Sequence, residues 1–195
     1  MPKKQKAIFL DRDGTIIRHV DYLTKREEVR LLPGAARAIS LFNERGFLVF
    51  VVTNQAVIAR GLATPSEVEK INTHIVDRLK KRGATIHGVY YCPHHPENHP
   101  DVPGHAKKYR VECECRKPAP GMLRKAIKDF NIDARQSFMI GDALTDVVAG
   151  RRAKVKTILV KSGPGHTRLD QLYRHIEPDF EARHLLDAVK FTVEA

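Results

Sequence analysis

The sequence predicts an α/β fold, a parallel sheet with helices on both faces. Short apolar runs alternate with amphipathic stretches along most of the chain, Gly and Pro mark several of the switches, and no internal repeat breaks the pattern. Strands that alternate with helices need crossover connections, and these cover both faces of the sheet.

Taken in order, residues 7–10 form a short apolar run that ends in acids. A helix is expected over 33–45, opened by Pro33 and stopped by Gly46, followed by a buried strand over 47–52. Next come a helix over 65–81 closed by Gly83, a strand near 86–91 and a helix over 121–130. Strands over 137–140 and 157–160 flank a helix near 145–153. With 195 residues, 42% of them hydrophobic and 29% charged, the chain suits one domain over 1–195.

The apolar run behind the basic prefix of Lys3, Lys4 and Lys6 is too short for a signal peptide or a membrane span. A cytoplasmic monomer with no membrane partner is the expectation. A net charge of +11 attracts anions without choosing among them, and with no Trp and few interleaved aromatics it leaves nucleic acid open as a partner but not favoured.

In open parallel sheets ligands gather at the carboxyl ends of strands, and there the acids fall. The first strand runs into Asp11-Arg12-Asp13-Gly14-Thr15, the second into Thr53-Asn54-Gln55, and the fourth into Gly141-Asp142, with Asp146 four residues on. Asp11 and Asp13, at i and i+2, can face one reacting group. Cys115-Arg116-Lys117-Pro118 places a cation just before a helix. An Asp-Gly turn alone is common in loops, but the ordered set supplies what phosphoryl transfer needs. Asp11 would attack the phosphoryl group, and Asp13 would protonate the leaving alkoxide and later activate water. Thr53 and Lys117 would hold phosphoryl oxygens, and Asp11 and Asp142 suit Mg²⁺ as hard oxygen ligands.

A second metal is suggested by the cysteines. Cys92, Cys113 and Cys115 share one 24-residue window, an odd count without a secretory signal, which favours a metal over disulfides. Residues 93–112 hold four prolines and little apolar content, so neither helix nor strand is expected there, and such a loop needs a fastener. Cys92, His94, Cys113 and Cys115 offer the donor set of a closed tetrahedral Zn²⁺ site. His95 should point elsewhere, and His99 and His105 are reserve ligands.

The four strand-end motifs, spanning residues 7–165, resemble those of the haloacid dehalogenase superfamily. More narrowly, Cys92-Pro93-His94-His95-Pro96, Cys113-Glu114-Cys115-Arg116-Lys117-Pro118 and Ile58-Ala59-Arg60-Gly61 resemble the heptose 1,7-bisphosphate phosphatases and the related histidinol phosphatases. The resemblance implies a Rossmann-like haloacid dehalogenase fold, a nucleophile at Asp11 and an acid/base at Asp13. It implies Mg²⁺ held by Asp11, the Asp13 backbone carbonyl and Asp142, and phosphoryl contacts from Thr53, Asn54 and Lys117. Asp146 supports the site, and Arg116 recognises substrate.

The chain departs from its relatives at Ala56-Val57, where they usually carry Ser-Gly, and at Ala143, where some heptose enzymes carry lysine; Arg60 or Lys161 is the expected substitute for that cation. Only 17 residues separate Thr15 from Pro33, and residues 54–116 are taken up by one helix, one strand and the zinc loop, so no large cap domain fits. Loops must then select the substrate, with Asp21, Tyr22, Asn54, Gln55, Arg60 and Arg116 as candidate contacts. The resemblance makes a phosphorylated sugar the leading substrate, heptose 1,7-bisphosphate converted to the 1-phosphate. A histidinol-phosphate phosphatase or a polynucleotide 3′-phosphatase is the enzymatic alternative. A zinc-stapled nucleic-acid-binding module is the non-enzymatic one.

Overall fold

A computed structural model describes residues 4–96, 103–165 and 171–192. Among these, six strands form one sheet: β1 (Lys6–Leu10), β2 (Phe47–Asn54), β3 (Gly88–Cys92), β4 (Phe138–Gly141), β5 (Lys156–Val160) and β6 (Phe180–Ala182). Their spatial order is β3-β2-β1-β4-β5-β6 and every neighbouring pair is parallel. The central β1 sets Ile8 beside Val49 of β2 and Phe138 of β4.

Alternation along β1 separates two cores, because successive side chains leave opposite faces of a strand. Ile8 and Leu10 pack with α1 (Ala35–Glu44) and α2 (Pro65–Lys80), while Ala7 and Phe9 pack with α3 (Gly121–Asp129) and α4 (Leu144–Arg152). A short α5 (Leu185–Ala188) joins the first group. Phe9 stacks on Phe50 with ring centroids 5.7 Å apart, and truncating either ring to Ala would cost about 3–5 kcal/mol.

Local chemistry explains the boundaries. The first helix begins at Ala35, later than Pro33 suggested, because Gly34 takes a left-handed φ of 77° and leaves room for Leu186 of α5. α2 opens on a capping box in which Thr64 and Glu67 exchange side-chain and backbone hydrogen bonds, with Pro65 in the first turn. β2 runs on to Asn54, so Thr53 is held inside the strand end.

Two features were not expected. The proline-rich loop holds a 3₁₀ turn over Gly104–Tyr109, which needs only a few residues between breakers and buries Ala106. A β-carbon on Gly61 would strike Pro103, so the loop rests on the 56–61 segment. At the carboxyl end, the three-residue β6 pairs with β5 and α5 covers it, elements too short to show a period. Among the described residues, no helix is long and apolar enough to cross a membrane.

Candidate active site

Chain order runs outward in both directions from the β1–β4 boundary, the point where open parallel sheets bind ligands. Asp11 leaves β1 and Asp142 leaves β4 on either side of it, and the Asp11 N–H donates to the Ile140 carbonyl at 2.9 Å. The strand-end acids predicted from sequence therefore meet in space.

Lys117 reaches the same point from the loop before α3. Its Nζ lies 2.7 Å from Asp11 Oδ1 and 2.6 Å from Asp146 Oδ1, inside the protein. Burial alone would lower the ammonium, but the two carboxylates outweigh it and hold Lys117 charged, well above its ordinary value. Asn54 fixes the backbone beneath it: its Nδ2 donates to the Lys117 carbonyl and its Oδ1 accepts from the Lys117 N–H, both at 3.0 Å. Both ends of the Asn54 amide are thereby engaged in seating Lys117, and Asn54, for which the resemblance implied a phosphoryl contact, also lines the cleft.

Asp11, Asp142 and Asp146 bring carboxylate oxygens within 4.8 Å of one another. Burial, then the charges of Asp11 and Asp146, push Asp142 up to about 8, and burial against the opposing pull of Lys117 leaves Asp146 at about 6. Three crowded carboxylates beside one ammonium are short of positive charge, which a divalent cation would supply. Glycine makes the cradle: a β-carbon on Gly14 or Gly163 would collide with the Asp142 carboxylate. The residues fit Mg²⁺. Asp146 is the member committed elsewhere, since its Oδ2 also accepts from the Ala143 N–H at 3.2 Å. Ala143 is the buried residue that precedes α4.

Asp13 is held by a network that begins one residue earlier. Arg12 donates from Nε to Asp13 Oδ2 at 3.0 Å and from Nη2 to Oδ1 at 3.1 Å, a two-point fork. Gln55 accepts from Arg12 Nη2 at 2.9 Å and donates to Thr53 Oγ1 at 2.8 Å and to Asp13 Oδ2 at 3.2 Å. Gln55, predicted as a substrate contact, is buried and links two motifs. The sequence reading passed over Arg12 and its partner Asn72. The available signals were an arginine between two paired acids and an asparagine on the apolar face of α2.

The zinc residues converge as well. The three sulfurs stand 3.0 Å (Cys92–Cys115), 3.5 Å (Cys92–Cys113) and 3.3 Å (Cys113–Cys115) apart. His94 Nδ1 lies 3.4 Å from Cys115 Sγ and 3.8 Å from Cys92 Sγ. Ligands 2.0–2.3 Å from a tetrahedral ion are separated by roughly 3.3–3.8 Å; the Cys92–Cys115 pair is tighter than that and the other separations fall in the range, so the donor set suits a closed zinc site once those two sulfurs part slightly. Contacts with the Cys92 and Cys113 thiols draw Cys115 down to about 5, while contact with Cys115 and burial push Cys92 up. A bound cation would deprotonate both. Of the reserve ligands, His105 is exposed and outside the cluster, and His99 lies outside the described residues. His95 points elsewhere, as expected: it lines the cleft, and its backbone N–H donates to the Tyr109 carbonyl at 3.1 Å.

Asp11, Asp13, Thr53, Lys117 and Asp146 line a cleft of about 1540 Å³ that also receives Asp21, Tyr22, Arg60 and Arg116. The Arg60 guanidinium lies 5.0 Å from the centre of the Tyr22 ring, and Tyr22 takes a left-handed φ of 56°. Asp21 pairs with His19 at 3.1 Å and is largely exposed. Arg116 donates from Nη1 to the His94 carbonyl at 3.1 Å, which ties it to the zinc cluster. Val57 packs with Ile58, Ala63 and Val68. Lys161 pairs with Glu181 at 2.7 Å and is not among the cleft residues, whereas Arg60 is.

A strand-end carboxylate, a buried ammonium and a divalent-cation cradle at the switch point of a parallel sheet suit a phosphatase of the haloacid dehalogenase type, and the comparisons with known proteins bear out that class. The family model described as HAD-hydrolase-like matches residues 114–188. The chain is 42% identical over 190 residues to the D-glycero-D-manno-heptose-1,7-bisphosphate 7-phosphatase of Chlorobaculum tepidum, covering 94% of this chain and 92% of that one. It is 40% identical over 164 residues to the D-glycero-beta-D-manno-heptose-1,7-bisphosphate 7-phosphatase of Escherichia coli, covering 84% and 83%. Among solved structures, the D,D-heptose 1,7-bisphosphate phosphatase of B. bronchiseptica, complexed with magnesium and phosphate, superposes with a TM-score of 0.80 at 28% identity, covering 97% of this chain and 99% of that one. The chain belongs to the heptose-1,7-bisphosphate 7-phosphatase family of haloacid dehalogenase-like hydrolases.

Proposed function

We propose that this protein removes the 7-phosphate of D-glycero-D-manno-heptose 1,7-bisphosphate and releases the 1-phosphate. The observation that supports phosphoryl transfer most directly is the 2.7 Å contact between Lys117 and Asp11, a buried cation beside the carboxylate where phosphoryl charge would gather. Asp11 attacks phosphorus and forms an aspartyl-phosphate as the bond to the primary sugar oxygen breaks. Asp13 gives its proton to that oxygen, then takes one from the water that hydrolyses the intermediate. Thr53 and Lys117 orient the phosphoryl oxygens. Asp11, Asp142 and the Asp13 backbone carbonyl would hold Mg²⁺, which supplies charge neutralisation when bound.

Zn²⁺ on Cys92, His94, Cys113 and Cys115 has a structural role in this reading, since protein atoms fill all four positions. Tyr22, Arg60 and Arg116 face the rest of the sugar bisphosphate, with Asp21 at the edge. The names of the relatives support the substrate. We also read the chain as one domain acting as a cytoplasmic monomer, which size-exclusion chromatography would test.

A phosphate-release screen with Mg²⁺ tests the substrate. Heptose 1,7-bisphosphate should exceed monophosphorylated sugars, histidinol phosphate and 3′-phosphorylated oligonucleotides in kcat/KM. A preference for either of the last two would overturn the substrate, and salt-dependent oligonucleotide binding without turnover would overturn the enzyme reading.

A further inference from the structure

Arg12 is only 2% exposed and ranks among the largest fully buried side chains of the protein. Taking a guanidinium out of water costs several kcal/mol unless it is paired, so its partners should reveal its task. Four hydrogen bonds are donated from its Nε and Nη atoms: two to the oxygens of Asp13, one to Gln55 Oε1, and one from Nη1 to Asn72 Oδ1 at 2.9 Å. Asn72 is buried on the face of α2 that carries Val68, Ile71 and Ile75, an unfavourable place for an amide unless a donor meets it. The strut therefore runs from a helix core through Arg12 to the acid/base.

We propose that Arg12 is a positioning residue, braced by Asn72 and Gln55, that fixes the Asp13 carboxylate toward the leaving oxygen. The inference rests on the acid/base role proposed for Asp13. A planar fork that meets both carboxylate oxygens sets the rotation of the group as well as its distance, which a lysine in the same place cannot do. Both half-reactions pass a proton through that carboxylate, so its aim matters more than its mere presence.

Leaving-group dependence separates positioning from structural support. Departure of p-nitrophenolate needs little protonation, whereas departure of a sugar alkoxide needs Asp13. We would measure kcat/KM for p-nitrophenyl phosphate and for the sugar bisphosphate in Asp13→Asn, Arg12→Lys, Arg12→Met and Asn72→Leu, with thermal unfolding as the check on folding. Asp13→Asn should lose about 10²–10⁴-fold on the sugar substrate and far less on the nitrophenyl ester. Both Arg12 variants should lose roughly 10²-fold with the same bias, and Asn72→Leu roughly tenfold. Folded Arg12 variants that lose equally on the two substrates would make Arg12 merely structural and overturn the inference. If the Arg12 variants fail to fold, Asn72→Leu decides: a biased loss supports the strut and an unbiased one rejects it. Absence of bias in Asp13→Asn would instead sink the acid/base assignment itself.

Discussion

Lys117 Nζ sits 2.6 Å from Asp146 Oδ1, and both side chains are sealed from solvent. Asp146 thus anchors the ammonium that also serves Asp11. Asp146→Ala would leave that charge buried with one partner, and removal of one member of a buried pair costs about 3–5 kcal/mol. Urea unfolding should show a loss at the low end of that range, because Asp11 remains, and kcat should fall at least tenfold as Lys117 is drawn onto the nucleophile alone. Unchanged kcat in a folded variant would show that Asp146 has no part in placing Lys117.

Asp11→Asn should abolish phosphate release while leaving the fold intact, since Lys117 retains Asp146 and the position lies at a strand end. Circular dichroism and a burst assay would check both halves. Near-normal turnover with Mg²⁺ would refute the nucleophile assignment.

Protein purified without chelators should hold one Zn²⁺ per chain by elemental analysis. Cys113→Ala should lower that content and raise KM at least as much as it lowers kcat, because the cluster adjoins Arg116 and not the reacting carboxylates. A zinc-free wild type with full activity would reject a structural zinc.

Arg116→Ala should reduce kcat/KM for the bisphosphate at least tenfold more than for a monophosphate, provided its guanidinium holds the distal phosphate. Equal losses on both substrates would put Arg116 at the reacting group.

The magnesium-free protein should grow less stable as pH rises. Asp142 has a folded-state value of about 8, raised by burial and by Asp11 and Asp146, above its value in the unfolded chain. The folded state therefore holds the extra proton in between, and the stability linked to it is full below the unfolded value and lost as pH climbs through the folded one. Melting temperature should fall between about pH 4 and about pH 8, the window that follows from those two values. Mg²⁺ should narrow the drop, because the cation replaces the proton. An undiminished drop with saturating Mg²⁺ would argue against Asp142 as a ligand.

Much of this arrangement was legible in the sequence because strand ends in a parallel sheet have a defined place. Asp11, Asp13, Thr53 and Asp142 stand at the carboxyl ends of apolar runs that alternate with helices, so their order and placement indicated one shared sheet edge. The zinc cluster was legible because thiols and imidazole carry a donor chemistry that does not depend on the loop between them. What escaped notice was the wiring. Whether Asn54 and Gln55 face a substrate or a neighbouring side chain depends on Lys117 and Arg12, which approach from sequence positions 63 and 43 residues away. β6 and α5 escaped because three or four residues cannot display a period.

The pairing of Asp11 with Lys117 joins residues 106 positions apart, and Arg12 meets Asn72 across 60. Neither contact can form until a remote segment has been brought against the carboxyl end of β1. Closing such loops precedes the gain from the contacts they allow, which makes parallel sheets slow to assemble. Catalysis should thus return only with the final phase of refolding, after helical signal has recovered, so that enzyme activity serves as a clock for the completed chain topology.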